Sequence, residues 1–518
     1  MFSIPYRKIY SSKFLLDFLN GDSATSNFIP TATNIEDFKE LILEKDFPFE
    51  NRKILCSTIS KQYENSGIAA PNHLDKLLDA NSFTVTTGHQ LCLFGGPQFF
   101  IHKIVSAISL ANQLKLAYPE SNFIPIFWMA SEDHDFDEIA SVSIFNKEIK
   151  VNGGNNNPVG RIKTLEFSSA LKELKSFFMN DSSGNHLISI FEEAFSKSNW
   201  ADCTRFWVDK LFSKYGLIVL DADAKELKTV FRPTLELEIK QQFVYNAVVN
   251  TNNSISKEGY SPKINPRKLN LFYFNKGNRE RIISNEGVFL IGDLTYSKDQ
   301  ILKMIELNPE NFSPNVLLRP LYQESILPNL AYIGGPAEIQ YWGQLKEAFD
   351  FSNVDFPMVI LRDHFGWINN SDLTWWKSKG LNESDLFLDY DELVKKILIK
   401  DNVFSLNVED HLQAIKSSIL KEIQTVDPSI ESMLIGELQK FKNGINKIES
   451  KLTRSSKRNN EIFYKKVKKV QDSLMINGNL NERKEGFIPL YITLGDQYLS
   501  FLLEAANPLK SELKILEK

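Results

Sequence analysis

Three carboxylates and an imidazole stand together in Glu132-Asp133-His134-Asp135, directly after the apolar run from Phe123 to Ala130. Charges at the end of a buried strand cost desolvation energy unless they are paired, hydrated or used in chemistry. Asp133 or Asp135 can orient His134, which then serves as a general base toward an amine. A solvated loop is the plainer reading of the same four residues. A second histidine lies in Gly88-His89-Gln90, at the end of the β-branched and aromatic run from Ser82 to Thr87. His89, Asp133, His134 and Asp135 are therefore the candidate catalytic residues. A metal shared by His89 and this cluster is an alternative, but the spacing does not require it and no metal is expected.

Two turns add to the picture. Gly95-Gly96-Pro97 and Gly334-Gly335-Pro336 each put backbone N–H groups at a helix start, where an anion is favoured. One such turn reads as a tight connection, whereas two in the same context point to a ligand crevice. Neither has the Gly-Lys-Ser/Thr ending of a P-loop, and no Gly-x-Gly-x-x-Gly is present. Gly88, Gln90, Gly95, Gly96, Lys103, Gly334 and Gly335 form the candidate cofactor-binding set. Lys103 lies early in a helix, where a phosphate or carboxylate can meet it. Arg319, Glu324, Glu338 and Arg362 surround the second turn, and arginine suits bidentate contacts to carboxylate or phosphate. Glu132, Arg319, Glu338, Tyr341 and Arg362 are the candidate substrate-binding residues. Cys92 lies close to His89, yet its neighbours Leu91, Leu93 and Phe94 mark it as a packed, unreactive thiol.

The elements that must position these residues follow from periodicity. Ser82 to Thr87 and Phe123 to Ala130 read as buried strands. Between them Ile101, Val105, Ile108, Ala111 and Leu114 recur at helical spacing from Gln98 to about Tyr118, with Pro97 suited to the first turn. This β-α-β unit makes its strands parallel, so Gly88-His89-Gln90 and Ser131 to Asp135 should face one crevice. Strand, Gly-Gly-Pro, helix and strand return at Ala331 to Ile333, Ala337 to about Phe349, and Pro357 to Leu361. Tyr215 to Asp223 reads as another buried strand ending in carboxylates. The expected order is a helical and loop segment of the core over 1–80, the first half of an α/β core over 81–240, and an insertion over 241–325. A second half of the core over 326–384, a coiled coil over 385–480 and a return to the core over 481–518 complete it. In the insertion, Leu269 to Phe274 and Val288 to Ile291 resemble a hairpin around Asn275-Lys276-Gly277-Asn278.

Leu434, Leu438, Phe441, Ile445, Ile448 and Leu452 alternate steps of four and three, a coiled-coil seam. Ser455 and Asn459 break it, and Phe463, Val467, Val470 and Leu474 resume it after a four-residue stutter. Leu412, Ile415, Ile419, Ile423 and Val426 form a shorter stripe, with an antiparallel turn at Asp427-Pro428. The long seam outruns the short one, so a homodimer through the coiled coil is expected. The competing reading has the segment near 385–410, with Val394, Ile397, Leu398 and Phe404, cover the seam.

Composition excludes several classes. With 518 residues, the chain exceeds one ordinary core, and 42% hydrophobic and 24% charged residues describe a globular protein. Sixty Lys+Arg against 65 Asp+Glu give a net charge of −5, without the basic excess of a general nucleic-acid binder. No apolar run approaches the roughly 20 residues that span a bilayer. The start lacks the apolar stretch of a signal peptide, so neither membrane nor export is expected, and the cytoplasm is the expected location. Cys56, Cys92 and Cys203 are too scattered for a disulfide framework or a thiolate zinc site.

At these residues the sequence resembles the bacillithiol biosynthesis cysteine-adding family. TTGHQLCLFGGPQFFIHKIVSAI is similar to that family's signature, whose usual form has Gly-Gln-Gln where this chain has Gly88-His89-Gln90. FIPIFWMASEDHDFDEI, YGLIVLDAD and LRPLYQESILPNLAYIGGPAEIQYW are similarly close to its later blocks, and the likeness runs on through the coiled coil to Leu480-Asn481-Glu482-Arg483. The resemblance implies an α/β fold: a Rossmann-like core of the nucleotidylyl-transferase type with connecting-peptide insertions and an antiparallel α-helical coiled coil. It also implies a cysteine ligase that adds L-cysteine to the amine of glucosaminyl-malate, the last step of bacillithiol biosynthesis. Related folds activate a carboxylate with a His-x-Gly-His motif and a lysine-rich loop. This chain has neither in standard form, and Asp363-His364 stands where the loop would be. ATP is expected as cofactor from the chemistry alone, because an amide does not form from a carboxylate that is not activated. The alternative is a non-catalytic dimeric partner in the same pathway that binds a nucleotide or thiol-sugar.

Overall fold

A computed structural model describes all residues except 155–156, 179–181, 286, 401–407 and 477. The chain forms two compact units: Met1–Phe365 with Glu482–Lys514, and Gly366–Asn481 with Ile515–Lys518. The division at Phe365/Gly366 lies upstream of the change to charged helix expected at 384/385.

In chain order, the strands that matter for the site are β1 (Ser82–His89), β2 (Asn122–Met129), β3 (Ile218–Asp221), β4 (Leu271–Asn275), β5 (Asn278–Asn285), β6 (Val288–Ile291), β7 (Leu294–Ser297), β8 (Phe312–Pro314), β9 (Asn329–Gly334) and β10 (Met358–Leu361). The helices of the first unit used below are α1 (Phe49–Asn65), α2 (Phe99–Ala117), α3 (Trp200–Phe212), α4 (Lys225–Gln241) and α5 (Pro336–Trp342). Five strands make one parallel sheet in the order β10-β9-β1-β2-β3. This is the doubly parallel β-α-β arrangement expected from the sequence, with helices packed on the sheet.

The alternation within β1 explains how it is held. Phe83 and Val85 pack with Ala107, Leu110, Ala111 and Leu114 of α2, joined by Leu330, Ile333 and Ile360 from the neighbouring strands. The hydroxyls of Thr84 and Thr86 instead donate to Asn329 Oδ1 at 3.0 and 2.8 Å. The Asn329 amide donates onward to Glu324 at 3.0 Å, and burial pushes the Glu324 carboxyl up to about 7. Glu324 thus belongs to the polar pins between strands.

Register fixes which chain ends meet. Gly88 lies opposite Trp128, His89 opposite Met129, and Met129 opposite Asp221. On the other side, Thr87 faces Ile333 and Gly334 faces Leu361. All five carboxyl ends therefore share one edge. Between β1 and α2 the chain turns through Gly95 (φ +81°) and Gly96 (φ +58°, ψ −143°). A Cβ on Gly96 would sit 2.7 Å from Cys92 Cβ. The helix expected from Ala337 to about Phe349 is two, α5 and Lys346–Ser352, separated at Gly343-Gln344-Leu345.

The insertion is a five-stranded antiparallel sheet in the order β7-β6-β5-β4-β8. Its hairpin differs from the one expected. Leu271–Asn275 pairs with Asn278–Asn285, not with Val288–Ile291, because Lys276 (φ +49°) and Gly277 (φ +90°) form a tight two-residue turn. Val288–Ile291 pairs with the far side of β5.

In the second unit, Tyr390–Lys400 (α6), Val408–Val426 (α7), Glu431–Asn459 (α8) and Glu461–Asp472 (α9) follow one another. Asp427 caps the turn between α7 and α8, its carboxylate accepting from Ser429 N–H at 2.9 Å. The seam breaks where expected: Asn460 leaves the helical region at φ −126°, ψ 43°.

Gly96→Ala should destabilise the first unit by about 1–3 kcal/mol, since an alanine would be strained there and would press on Cys92. Thermal unfolding followed by circular dichroism should show a lowered midpoint; an unchanged one would mean that the turn relaxes freely.

Candidate active site

The strand ends assemble a continuous polar chain across the edge of the sheet. Lys103, in the second turn of α2, points back along β1 and donates to Gly88 O at 2.7 Å. Its ammonium also pairs with Glu338 Oε2. Glu338 is further held by the Tyr332 hydroxyl at 2.6 Å and by Gly335 N–H at 2.8 Å. Burial pulls the Lys103 ammonium below its ordinary range. Burial opposes the Glu338 charge too, but Lys103, Tyr332 and Gly335 overrule it and hold the carboxyl low. The pair is therefore ionised.

On the other side of β1, the Gln90 amide donates to Asp133 Oδ2 at 2.6 Å. Asp133 Oδ1 accepts from His134 N–H at 2.8 Å and from Arg279 Nη1 at 3.1 Å. Burial works against this charge, yet Arg279, Gln90 and His134 keep the Asp133 carboxyl below the usual range. His89 and His134 thus lie on the same sheet edge, linked through Gln90 and Asp133. Gly335 joins through Glu338, Lys103 and Gly88.

Arg279 was not singled out by sequence reasoning. It comes from β5 of the insertion and uses every arm: Nε to Ser313 Oγ at 3.1 Å, Nη2 to Pro314 O at 2.9 Å, and Nη1 to Asp133 and to His134 Nδ1 at 3.2 Å. Its guanidinium lies 4.0 Å from the Phe272 ring centroid. His134 Nδ1 lies between Arg279 Nη1 at 3.2 Å, which only donates, and Asp133 Oδ1 at 3.3 Å, which only accepts. Each tautomer of the ring therefore has a partner at Nδ1, and Nε2 serves as the base expected from the sequence when Nδ1–H is held by Asp133, or as a donor when Nδ1 accepts from Arg279.

The His89 Nδ1 faces Gln90 O at 3.0 Å, and a carbonyl only accepts, so the ring proton sits on Nδ1 and the Nε2 lone pair has no partner among the described residues. The ring packs against Phe99 and Phe100, with centroids 5.2 Å away in both cases.

Several expected site residues are committed elsewhere. Asp135 caps the short helix Phe136–Ile139, accepting from Glu138 N–H at 3.3 Å. Glu132 pairs with Lys228, a fully buried lysine that also donates to Phe312 O at 2.7 Å. Arg362 is clasped by Glu482, with Nη2 to Oε1 at 2.6 Å and Nη1 to Oε2 at 3.1 Å. His102 and His364 hold the same carboxylate at 2.8 and 2.6 Å. Gly95 and Gly96 spend their N–H groups on Cys92 O and Leu93 O within their own turn, both at 2.9 Å. Gly335 N–H is taken by Glu338, and the Gly334 carbonyl accepts from Arg362 N–H at 2.9 Å. Neither Gly-Gly-Pro turn is an open phosphate cradle.

Arg319 and Tyr341 do reach the centre. Arg319 Nη2 donates to the Tyr341 hydroxyl at 3.3 Å, and its guanidinium lies 5.5 Å from the Tyr332 ring that binds Glu338. Cys92 is an inert thiol: burial pushes it up to about 12. Among the described residues, no group of three or more His, Cys, Asp or Glu is arranged to hold a metal.

Burial, then the Lys103 charge, pull His89 down from 6.5 to about 3. Between those values the unfolded chain carries a proton that the folded imidazole refuses. The unfolded state binds more protons, so this contribution to stability is complete above about pH 6.5 and is lost as pH falls toward 3. Urea midpoints of His89→Gln should therefore fall less between pH 7 and pH 4.5 than those of the wild type. Parallel curves would show that His89 is not held neutral.

Comparison with known proteins agrees with this architecture. Residues 2–363 match the family described as Bacillithiol biosynthesis BshC, N-terminal Rossmann-like domain, and residues 367–518 match the corresponding C-terminal coiled-coil domain. A relative from Flavobacterium johnsoniae is 37% identical, over 98% of this chain and 97% of its own length. One from Flavobacterium psychrophilum is 36% identical over 99% of both, and one from Bacillus cytotoxicus is 26% identical over 90% and 91%. Each carries the name "Putative cysteine ligase BshC". Matched in both domains and along nearly its whole length, the chain belongs to the bacillithiol biosynthesis BshC family.

Proposed function

We propose that this protein is a cysteine ligase that joins L-cysteine to the amine of glucosaminyl-malate through an amide bond, completing bacillithiol. The observation that carries this reading is the end-to-end match to relatives named "Putative cysteine ligase BshC", in a chain whose strand ends converge on one charged crevice. ATP is the proposed co-substrate, because the carboxylate of cysteine needs activation before an amine can displace a leaving group. The two glycine turns offer no free N–H groups to its phosphates and Lys103 is committed to Glu338, so no step is assigned to ATP at these residues.

The crevice residues support the amine side of the reaction. His89 Nε2 can accept a hydrogen bond from the incoming amine and orient it. With its imidazole neutral down to about pH 3, His89 does not store the released proton. His134 Nε2 can take a proton from the amine when Nδ1–H is held by Asp133, or donate to an oxygen that gains charge as the C–N bond forms when Nδ1 accepts from Arg279. Asp133 positions both Gln90 and Arg279.

Purified protein supplied with glucosaminyl-malate, L-cysteine and ATP should yield the amide, detected by mass spectrometry together with AMP or ADP. Asp133→Asn should lower the rate by about 100-fold while leaving the circular dichroism spectrum intact. Absence of product with the wild type would favour the non-catalytic partner reading.

We further propose that the second unit makes a homodimer. Within one chain, α8 buries no residue fully, and Phe441, Ile448 and Leu452 of its seam are 55%, 50% and 40% exposed. Ile415 and Ile419 of α7 are similarly open. The continuation of the seam is already covered: Val467 is fully buried and the Phe463 ring packs 5.7 Å from Trp375. Val394, Ile397 and Leu398 are buried in α6, while Phe404 lies outside the described residues. Lysine at both Phe441 and Ile448 should convert a dimer into a folded monomer in light scattering. A wild type that is monomeric at high concentration would sink the idea.

A further inference from the structure

A cavity of about 420 Å³ opens at the carboxyl end of β3, next to the crevice yet lined by none of the residues proposed for it. That volume suits a small ligand. One wall is a polar stripe of α1, with Thr58, Lys61, Gln62 and Asn65 at helical spacing; the others are the start of α3, the turn at Gly160-Arg161 and the passage from Asp221 into α4. Ala201 and Ala224 are its apolar side chains, so an apolar ligand gains little there.

The charges can be paired off. Arg205 binds Asp202 at 2.7 Å, and Arg161 clasps Asp223 with two bonds of 2.7 Å through Nε and Nη2. Lys61 and Glu226 meet at 3.5 Å, both largely exposed. Asp221 remains. Its Oδ1 accepts from the Ser131 hydroxyl and from Asp223 N–H, while Oδ2 has no donor among the described residues. Burial and the neighbouring Asp223 push its carboxyl up, against the attraction of Arg205, which forms its own hydrogen bond to Asp202 and none to Asp221. Arg161 Nη1 likewise has no acceptor among the described residues, and Lys61 has only its loose partner. One carboxylate oxygen of Asp221, Arg161 Nη1 and the buried Arg205 Nε are left without partners among the described residues in one cavity, with the loosely paired Lys61 beside them. A multiply charged anion is disfavoured, because four carboxylates line the space against three cations.

We infer that this cavity binds a free α-amino acid, its ammonium on Asp221 and its carboxylate on Arg161 Nη1 and Lys61. Naming that amino acid as L-cysteine rests on the proposed ligase activity; the zwitterion site itself does not.

The test is isothermal titration of the full-length protein with L-cysteine, L-serine, cysteamine and N-acetyl-L-cysteine, under reducing conditions. Cysteamine lacks the carboxylate and N-acetyl-L-cysteine lacks the ammonium. The wild type should bind the two amino acids at one site and the other two compounds at least ten-fold more weakly. Asp221→Asn should weaken L-cysteine by ten-fold or more. Asn65→Trp should do the same by filling the cavity, and Asn65 is exposed on α1, so the fold should be unaffected. No binding by the wild type, equal binding of cysteamine, or unchanged binding in Asn65→Trp would overturn the assignment. The two proposals separate cleanly: product formation with an unaltered KM for cysteine in Asn65→Trp removes the cavity and keeps the ligase, whereas saturable binding without product does the reverse.

Discussion

The ammonium of Lys103 is the constraint around which the crevice is built. Taking an ammonium out of water costs several kcal/mol unless a carboxylate and further acceptors replace the lost hydration. Lys103 obtains them from Gly88 O, the last carbonyl of β1 before His89, and from Glu338 at the start of α5. Both must therefore lie within reach of the second turn of α2, which ties the end of β1 to the start of α5. The same pairing decides what the second Gly-Gly-Pro turn can do. Glu338 answers Lys103 with one oxygen and takes Gly335 N–H with it, so the helix start that would have drawn a phosphate is already satisfied.

The acidic cluster after β2 is balanced by the same logic, but from farther away. Lys228 opposite Glu132 and Arg279 opposite Asp133 stand 96 and 146 residues downstream of their partners. Both cations are buried, and both also bind backbone carbonyls in or beside β8, at Phe312 and Pro314. The antiparallel insertion is thus part of the site's electrostatics. Without it, Asp133 would lose the Arg279 counterion, and Lys228 of α4, which answers Glu132, would lose its acceptor at Phe312 O.

This explains which parts were legible in the sequence. Apolar and β-branched runs with a 3.6-residue period between them around Ser82 to Ala130 gave β1, α2 and β2 nearly to the residue, because burial there is dense and local. The convergence of His89 with Asp133 and His134 followed from parallel topology. Arg279 carried no local signal: it sits in an Arg-Glu-Arg strand that reads as solvated, and only the fold reveals that it faces Asp133. Glu482 was equally silent, an acidic residue in a charged stretch whose three partners His102, Arg362 and His364 come from distant positions. Arg362 looked available for a substrate for the same reason. Residue type and proximity to a turn identify charges, but not which of them are already paired. The hairpin error had a different source: apolar runs marked Leu269 to Phe274 and Val288 to Ile291 as strands, while the more polar β5 between them escaped notice although the Lys276-Gly277 turn required it.

Position 89 shows how the surroundings decide what a substitution means. The signature that this stretch resembles has glutamine there, neutral at every pH, and a free histidine in its place would be a change toward charge. In this fold the ring is enclosed by Phe99 and Phe100 and stands near Lys103, so the charged form is suppressed far below neutral pH. A neutral imidazole whose Nδ1–H is tied to Gln90 O presents one acceptor at Nε2, as a glutamine amide can present its oxygen. At neutral pH the exchange therefore preserves both charge and hydrogen-bonding capacity toward the crevice. What it adds is a rigid ring that packs tilted and edge-on against Phe99 and Phe100 at the start of α2, and a group that can be protonated if acid or unfolding opens the packing. The physical signature of the departure from the family pattern lies in stability against acid.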